Sequence, residues 1–154
     1  MAKIAILMGS ESDRPVVEEA IPYLEYFDIL HEIHVMSAHR TPEQVQKFAS
    51  EAETNGFDAI IACAGMAAHL PGVVAAFTKL PVIGVPLAAG ALNGIDALYS
   101  IVQMPAGVPV ASMAIGKAGM RNAAIFCAQI AARFDDDVAL RLGKFKSNKC
   151  RIPS

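Results

Sequence analysis

Short apolar, β-branched runs alternate along this chain with longer amphipathic segments, and that alternation leaves few folds open. Lys3–Met8 (KIAILM), Ala59–Ala64 and Pro81–Val85 read as buried strands, and Leu30–Met36 as a strand with polar residues at alternate positions. Val108–Ile115 completes a set of five. Between them, Asp13–Phe27, Thr41–Thr54, Leu70–Thr78, Gly94–Gln103 and Met120–Phe134 read as helices. Capping-type residues at Ser12 and Asp13, with Pro15 in the first turn, open the first helix. Thr41, Pro42 and Gln44 form a capping-box pattern at the second. Strand–helix alternation implies a parallel sheet covered on both faces. The expected fold is an α/β three-layer αβα sandwich, with about five strands in flavodoxin-like order 2-1-3-4-5. A last, more polar helix, Asp135–Lys149, has no strand after it and would pack on its own sheet or reach a neighbouring subunit. Three aspartates at its start suit the helix dipole.

The 154 residues fit one domain, 1–154, without linker or repeat. Apolar residues make up 54% of the chain and mean hydropathy is +0.40, both high for a domain of this size. From Ala59 to Gly116 the only charged residues are Lys79 and Asp96. Two explanations stand: a very apolar core, or burial of this stretch against other copies of the chain. A membrane span is excluded, because Pro71, Pro81, Pro86, Pro105 and Pro109 interrupt every run before the roughly 20 residues a span requires. The apolar start is too short for a secretory signal, so a cytoplasmic protein is expected. Cys63, Cys127 and Cys150 share no metal-type spacing. A net charge of −2 gives no support to nucleic-acid binding.

Polar residues and glycines collect just after the first three strands: Gly9–Asp13, Ser37–Arg40 and Gly65–His69. In a parallel sheet these loops share the carboxyl edge, where a crevice opens at the switch point of the strand order. Backbone N–H groups at the first turn, with the hydroxyls of Ser10 and Ser12, suit a phosphate. Asp13 suits sugar hydroxyls better, although Ser12 or Asp13 could equally be a plain helix cap. The loop is neither G-x-G-x-x-G nor a Walker loop. Arg40 precedes a helix start, where fork donors and dipole act together on an anion; the plainer alternative is a salt bridge to Glu43 or Glu11. His39 and His69 carry imidazoles at the proposed rim, and no carboxylate pair or metal motif accompanies them, so proton transfer by an imidazole is the expected chemistry. His31 and His34 lie away from that edge.

These segments resemble a known family. MGSESD, MSAHRTPE, AGMAAHLPG, LPVIGVP and LYSIVQMPAGVPVA, in this order, are similar to the class I N5-carboxyaminoimidazole ribonucleotide mutases of bacterial purine synthesis. The related class that carboxylates aminoimidazole ribonucleotide directly usually carries lysine at the place of Arg40 and a Ser-Asn pair instead of AAHLPG. The resemblance implies a homo-octamer with sites lined by more than one subunit, a small ribonucleotide as substrate, and no metal or organic cofactor. It further implies that Ser10, Asp13 and Arg40 bind the nucleotide, with Ser12 and Arg40 at the 5′-phosphate and Asp13 at the ribose. His39 matches the general acid/base. Ser37, Ala38, Ala64, Gly65, Ala67, His69 and Leu70 match the pocket around the migrating carboxylate. Two residues depart from the pattern: Met66, where a second glycine is common, and Cys63, where a small residue stands. Two other readings compete. A receiver module would want an aspartate where Ala64 and Gly65 stand, and a flavin carrier would want more Ser/Thr in the first loop.

Overall fold

The computed structural model describes residues 1–153. Five strands, β1 (Lys3–Met8), β2 (Leu30–Val35), β3 (Ala59–Gly65), β4 (Val82–Leu87) and β5 (Ala111–Ser112), form one sheet in the order β2-β1-β3-β4-β5. Every pairing is parallel. The helices are α1 (Arg14–Val17), α2 (Ile21–Tyr26), α3 (Pro42–Glu51), α4 (Leu70–Phe77), α5 (Ile95–Val102), α6 (Lys117–Ala131) and α7 (Asp136–Ser147). This is the doubly wound, flavodoxin-like sandwich expected from the alternation. No helix among the described residues is long and apolar enough to cross a membrane.

β1, β3 and β4 are nearly continuous apolar runs because both faces are covered, whereas the edge strand β2 (LHEIHV) alternates polar residues and stays partly exposed. Ile4, Ile6, Met8, Ile61, Cys63, Ile83 and Val85 point to one side, where Val17, Leu24, Met120, Ala124, Cys127 and Phe145 meet them. Ala5, Leu7, Ile60, Ala62 and Val82 point to the other, against Val45, Ala49, Leu70 and Val74. Each fully buried large side chain contributes about 1.5–3 kcal/mol relative to exposure. Helix α7 packs on its own chain: Phe145 is buried and sits edge-on to Phe27, with ring centroids 5.4 Å apart. Asp135 caps it by accepting hydrogen bonds from the Asp137 and Val138 N–H groups.

Three local expectations give way to backbone chemistry. The helix expected over Asp13–Phe27 is broken into α1 and α2, joined by a 3-10 turn at Glu18–Ala20. Pro22 has no N–H to donate to Glu18, so the Ile21 N–H takes that carbonyl and tightens the turn. The strand expected over Val108–Ile115 shrinks to Ala111–Ser112. Val108 N–H turns back to the Pro105 carbonyl at 3.2 Å, and Pro109 offers no donor. Thr41 precedes α3, but its hydroxyl makes no cap bond, so the capping box is absent.

Register places the site. Met8 pairs with both Val35 and Cys63, and Gly65 pairs with Leu87. The carboxyl ends of β1, β2, β3 and β4 therefore finish near one level, and the loops after them open at one rim.

Candidate functional site

A cavity of about 440 Å³ opens at that rim. It is lined by Ser10, Ser12, Asp13, Ser37, Ala38, His39, Arg40, Ala64, Gly65, Ala67, His69 and Leu70, together with Gly9, Met66 and Ala89. All twelve residues singled out from the sequence thus face one space, although three separate loops carry them. His31 and His34 remain on β2 outside it. A second recess, of about 600 Å³, runs beside α7 between Tyr26, Arg141 and Lys144. Its main cation is already engaged: an Arg141 N–H donates to the Tyr26 carbonyl at 3.0 Å. The smaller cavity is the better candidate because imidazoles, hydroxyls and a guanidinium converge there.

Each loop is shaped by its own sequence. Ser10 is the residue that caps the first turn, rather than Ser12 or Asp13: its Oγ accepts from the Ser12 N–H at 3.3 Å and from the Ser12 hydroxyl at 2.9 Å. Asp13 makes no side-chain cap bond. Desolvation holds its carboxyl above the ordinary range, offset in part by a backbone hydrogen bond from Ser10.

In the second loop, Ser37 and Thr41 lash the turn from both ends. The Ser37 N–H donates to Thr41 Oγ1 at 2.9 Å, and the Thr41 hydroxyl donates back to the Ser37 carbonyl at 3.3 Å. Ser37 Oγ in turn accepts from the His39 and Arg40 N–H groups, at 3.3 and 3.2 Å. The Thr41 hydroxyl, expected to cap α3, instead fixes where His39 and Arg40 sit. Neither alternative salt bridge of Arg40 forms: Glu11 is taken in a two-pronged pair by Arg14, at 2.6 and 2.8 Å. Arg40 has no ion-pair partner among the described residues, so its five donors are open to an anion.

The third loop turns sharply. Ala68 N–H bonds to the Met66 carbonyl at 2.9 Å and His69 N–H to the Ala67 carbonyl at 2.7 Å, two successive three-residue turns. Met66 reaches this geometry at φ +55°, a left-handed conformation that costs a non-glycine residue about 1–2 kcal/mol. Gly65 lies flush against the β4–α5 loop; a Cβ there would stand 2.7 Å from the Ala89 Cβ. These turns bring His69 to His39. His39 Nε2 and His69 Nδ1 are 2.7 Å apart, with the rings nearly perpendicular. At that distance one nitrogen must donate and the other accept, so the pair holds a proton between two bases. Cys63, just beneath the loop, is an inert thiol: it donates to the Leu7 carbonyl at 3.2 Å, and burial pushes its pKa far up.

Sequence reasoning passed over Gly9 and Ala89. Gly9 belongs to the Gly9–Asp13 cluster after the first strand, but its residue type assigns it no role of its own. Ala89 lies in Leu87–Ala91, a run of small apolar residues with no chemical signal; only the register of β4 against β3 brings it to the rim.

A doubly wound parallel sheet with a polar, imidazole-bearing cavity at its switch point defines a flavodoxin-like α/β protein with a candidate small-molecule site. Comparison with known proteins narrows this. A model of the AIR carboxylase family matches residues 3–151, and the chain belongs to that family. It is 51% identical over 145 residues, covering 94% of this chain and 86% of the relative, to the N5-carboxyaminoimidazole ribonucleotide mutase of Escherichia coli. The mutase of the same name from Pyrococcus abyssi is 49% identical over 151 residues, covering 98% of this chain and 86% of that one. Among solved structures, Treponema denticola PurE superimposes with a TM-score of 0.87 at 30% identity, covering 97% of this chain and 92% of that one.

Proposed function

We propose that this protein is an N5-carboxyaminoimidazole ribonucleotide mutase, an isomerase that moves a carboxylate from the exocyclic nitrogen to the ring carbon of an aminoimidazole ribonucleotide. The observation that carries the reading is the contact between His39 and His69 inside a cavity that also holds Arg40 and the Ser10–Asp13 turn. The names of the half-identical relatives support it.

Arg40 and the donors of the Ser10–Asp13 turn hold the phosphate, and Asp13 accepts from the ribose hydroxyls. His39, protonated, gives a proton to the exocyclic nitrogen as the N–C bond breaks and CO2 departs. The electron pair of that bond becomes the N–H bond of a neutral amine. The electron-rich ring carbon then attacks the retained CO2, and its proton returns to the His39 imidazole. One proton is given and one taken, so the enzyme ends as it began. Confinement supplies much of the rate, since a trapped reactant behaves as though at very high concentration. His69 keeps the His39 proton on a defined nitrogen.

The working protein is proposed to be a cytoplasmic assembly of copies, an octamer by the resemblance. In support, Leu92, Ile95, Tyr99 and Val102 lie exposed on and before α5, in the stretch whose only charges are Lys79 and Asp96.

The deciding experiment supplies each substrate separately. Initial rates with N5-carboxyaminoimidazole ribonucleotide should far exceed those with aminoimidazole ribonucleotide plus dissolved CO2. The reverse order would make this a direct carboxylase.

A further inference from the structure

The β3–α4 loop places a long apolar side chain where its backbone favours glycine. Met66 sits at φ +55° and is 59% exposed, yet it lines the cavity between Gly65 and Ala67. A strained, largely exposed methionine gains little from burial, so core packing does not account for it. Across the mouth the chain is open to receive it. Gly90, at φ +66°, faces Met66, and a Cβ placed there would lie 3.6 Å from the Met66 Cγ. Ala89, the residue before, lines the same cavity and touches the space beside Gly65. The two loops therefore meet along a seam, and the Met66 side chain lies over its glycine half at the rim.

We propose that Met66 is the retaining wall of the pocket, holding CO2 beside the ring carbon and slowing its exchange with bulk solvent. This rests on the mutase reading given above. The chemistry asks for enclosure, and where the mutases it resembles commonly carry glycine this chain adds a side chain to it. Arg40 and the serines can grip a phosphate, but CO2 carries no charge for them to hold, so steric enclosure must retain it. A thioether chain is apolar, polarizable and adaptable, which suits closing an irregular gap. Once the N–C bond breaks, CO2 either bonds to the ring carbon or escapes and leaves free aminoimidazole ribonucleotide. Met66 sets that partition without taking part in proton transfer.

The test compares wild type, Met66→Gly and Met66→Leu, each given N5-carboxyaminoimidazole ribonucleotide in 13C-bicarbonate with carbonic anhydrase present. Mass spectrometry of the product reads the fraction of carboxylate drawn from bulk, and the released aminoimidazole ribonucleotide is measured alongside. Met66→Gly should raise bulk label per product about fivefold or more, with free aminoimidazole ribonucleotide accumulating. Met66→Leu should stay within about twofold of wild type, because it restores the wall. Thermal unfolding separates a wall from a structural prop: glycine relieves the left-handed strain, so the Tm of Met66→Gly should hold or rise by about 2–4 °C. Equal label retention in Met66→Gly and wild type overturns the inference alone, as does a rise in exchange accompanied by a lowered Tm. Absence of conversion by wild type overturns the mutase reading, and this inference with it.

Discussion

The loops after β1, β2 and β3 carry Ser10, Ser12, Asp13, Ser37, His39, Arg40 and His69, while the segment after β4, from Ala88 to Val102, carries one charge, Asp96. Both regions occupy the same kind of position, the carboxyl edge of a parallel sheet. The first spends its polar groups internally: Ser10 caps a turn, Ser37 and Thr41 brace a loop, His69 meets His39. What remains without a partner among the described residues, above all the Arg40 guanidinium, faces the cavity. The second exposes Leu92, Ile95, Tyr99 and Val102, with Tyr99 at 64%. The difference separates two tasks that water treats oppositely. Binding an anion needs polar groups held apart from each other, whereas an apolar helix face gains only by being covered.

The comparison can be broken at four points, from the largest expected effect down. His39→Asn should lose turnover about a hundredfold or more while still binding nucleotide, as removal of a general acid/base does; a near-normal kcat would remove His39 from the mechanism. Arg40→Ala should weaken nucleotide binding by about 10–100-fold, the loss expected for about 1.5–3 kcal/mol of charge-assisted hydrogen bonding. It should appear in KM or Kd, and unchanged affinity would move the phosphate elsewhere. On the apolar side, Tyr99→Glu should lower the particle mass measured by light scattering several-fold while leaving the chain folded. A wild-type mass of one chain would refute the proposed assembly.

The smallest effect concerns Asp13. Desolvation raises its folded pKa, so the ionised carboxylate is disfavoured in the native state. That cost is absent below its unfolded value of 3.8 and fully present above the raised folded value. Asp13→Asn should therefore raise Tm at neutral pH, by less than about 4 °C because the group is only half-buried. The gain should fade as pH falls toward 3.8, where both forms are neutral. A variant that is less stable than wild type at pH 7 would show that Asp13 contributes a native contact beyond its solvation cost.

Several expectations were readable because a single residue type carried them. Apolar runs such as KIAILM and AIIACAG can sit only inside a covered sheet, and the GSESD, SAHR and MAAH segments stand at the carboxyl ends of the first three strands. Others failed because two uses of one group compete, and sequence does not say which wins. Thr41 could cap α3 or brace Ser37, and it braces. Pro22 and Pro109 each lack a donor where a helix or strand needs one, and the apolar pattern around them hides that loss.

From its sequence alone this chain determined its layer order, its apolar interior and the chemistry available at its rim, because hydrophobic periodicity and residue type are local properties. Tertiary structure alone decided that Ala89 borders the cavity and Gly90 faces Met66, that Arg40 has no ion-pair partner among the described residues while Glu11 goes to Arg14, and that two imidazoles 30 positions apart come within 2.7 Å. Those outcomes depend on strand register and on competition between partners, which exist only once the sheet has closed.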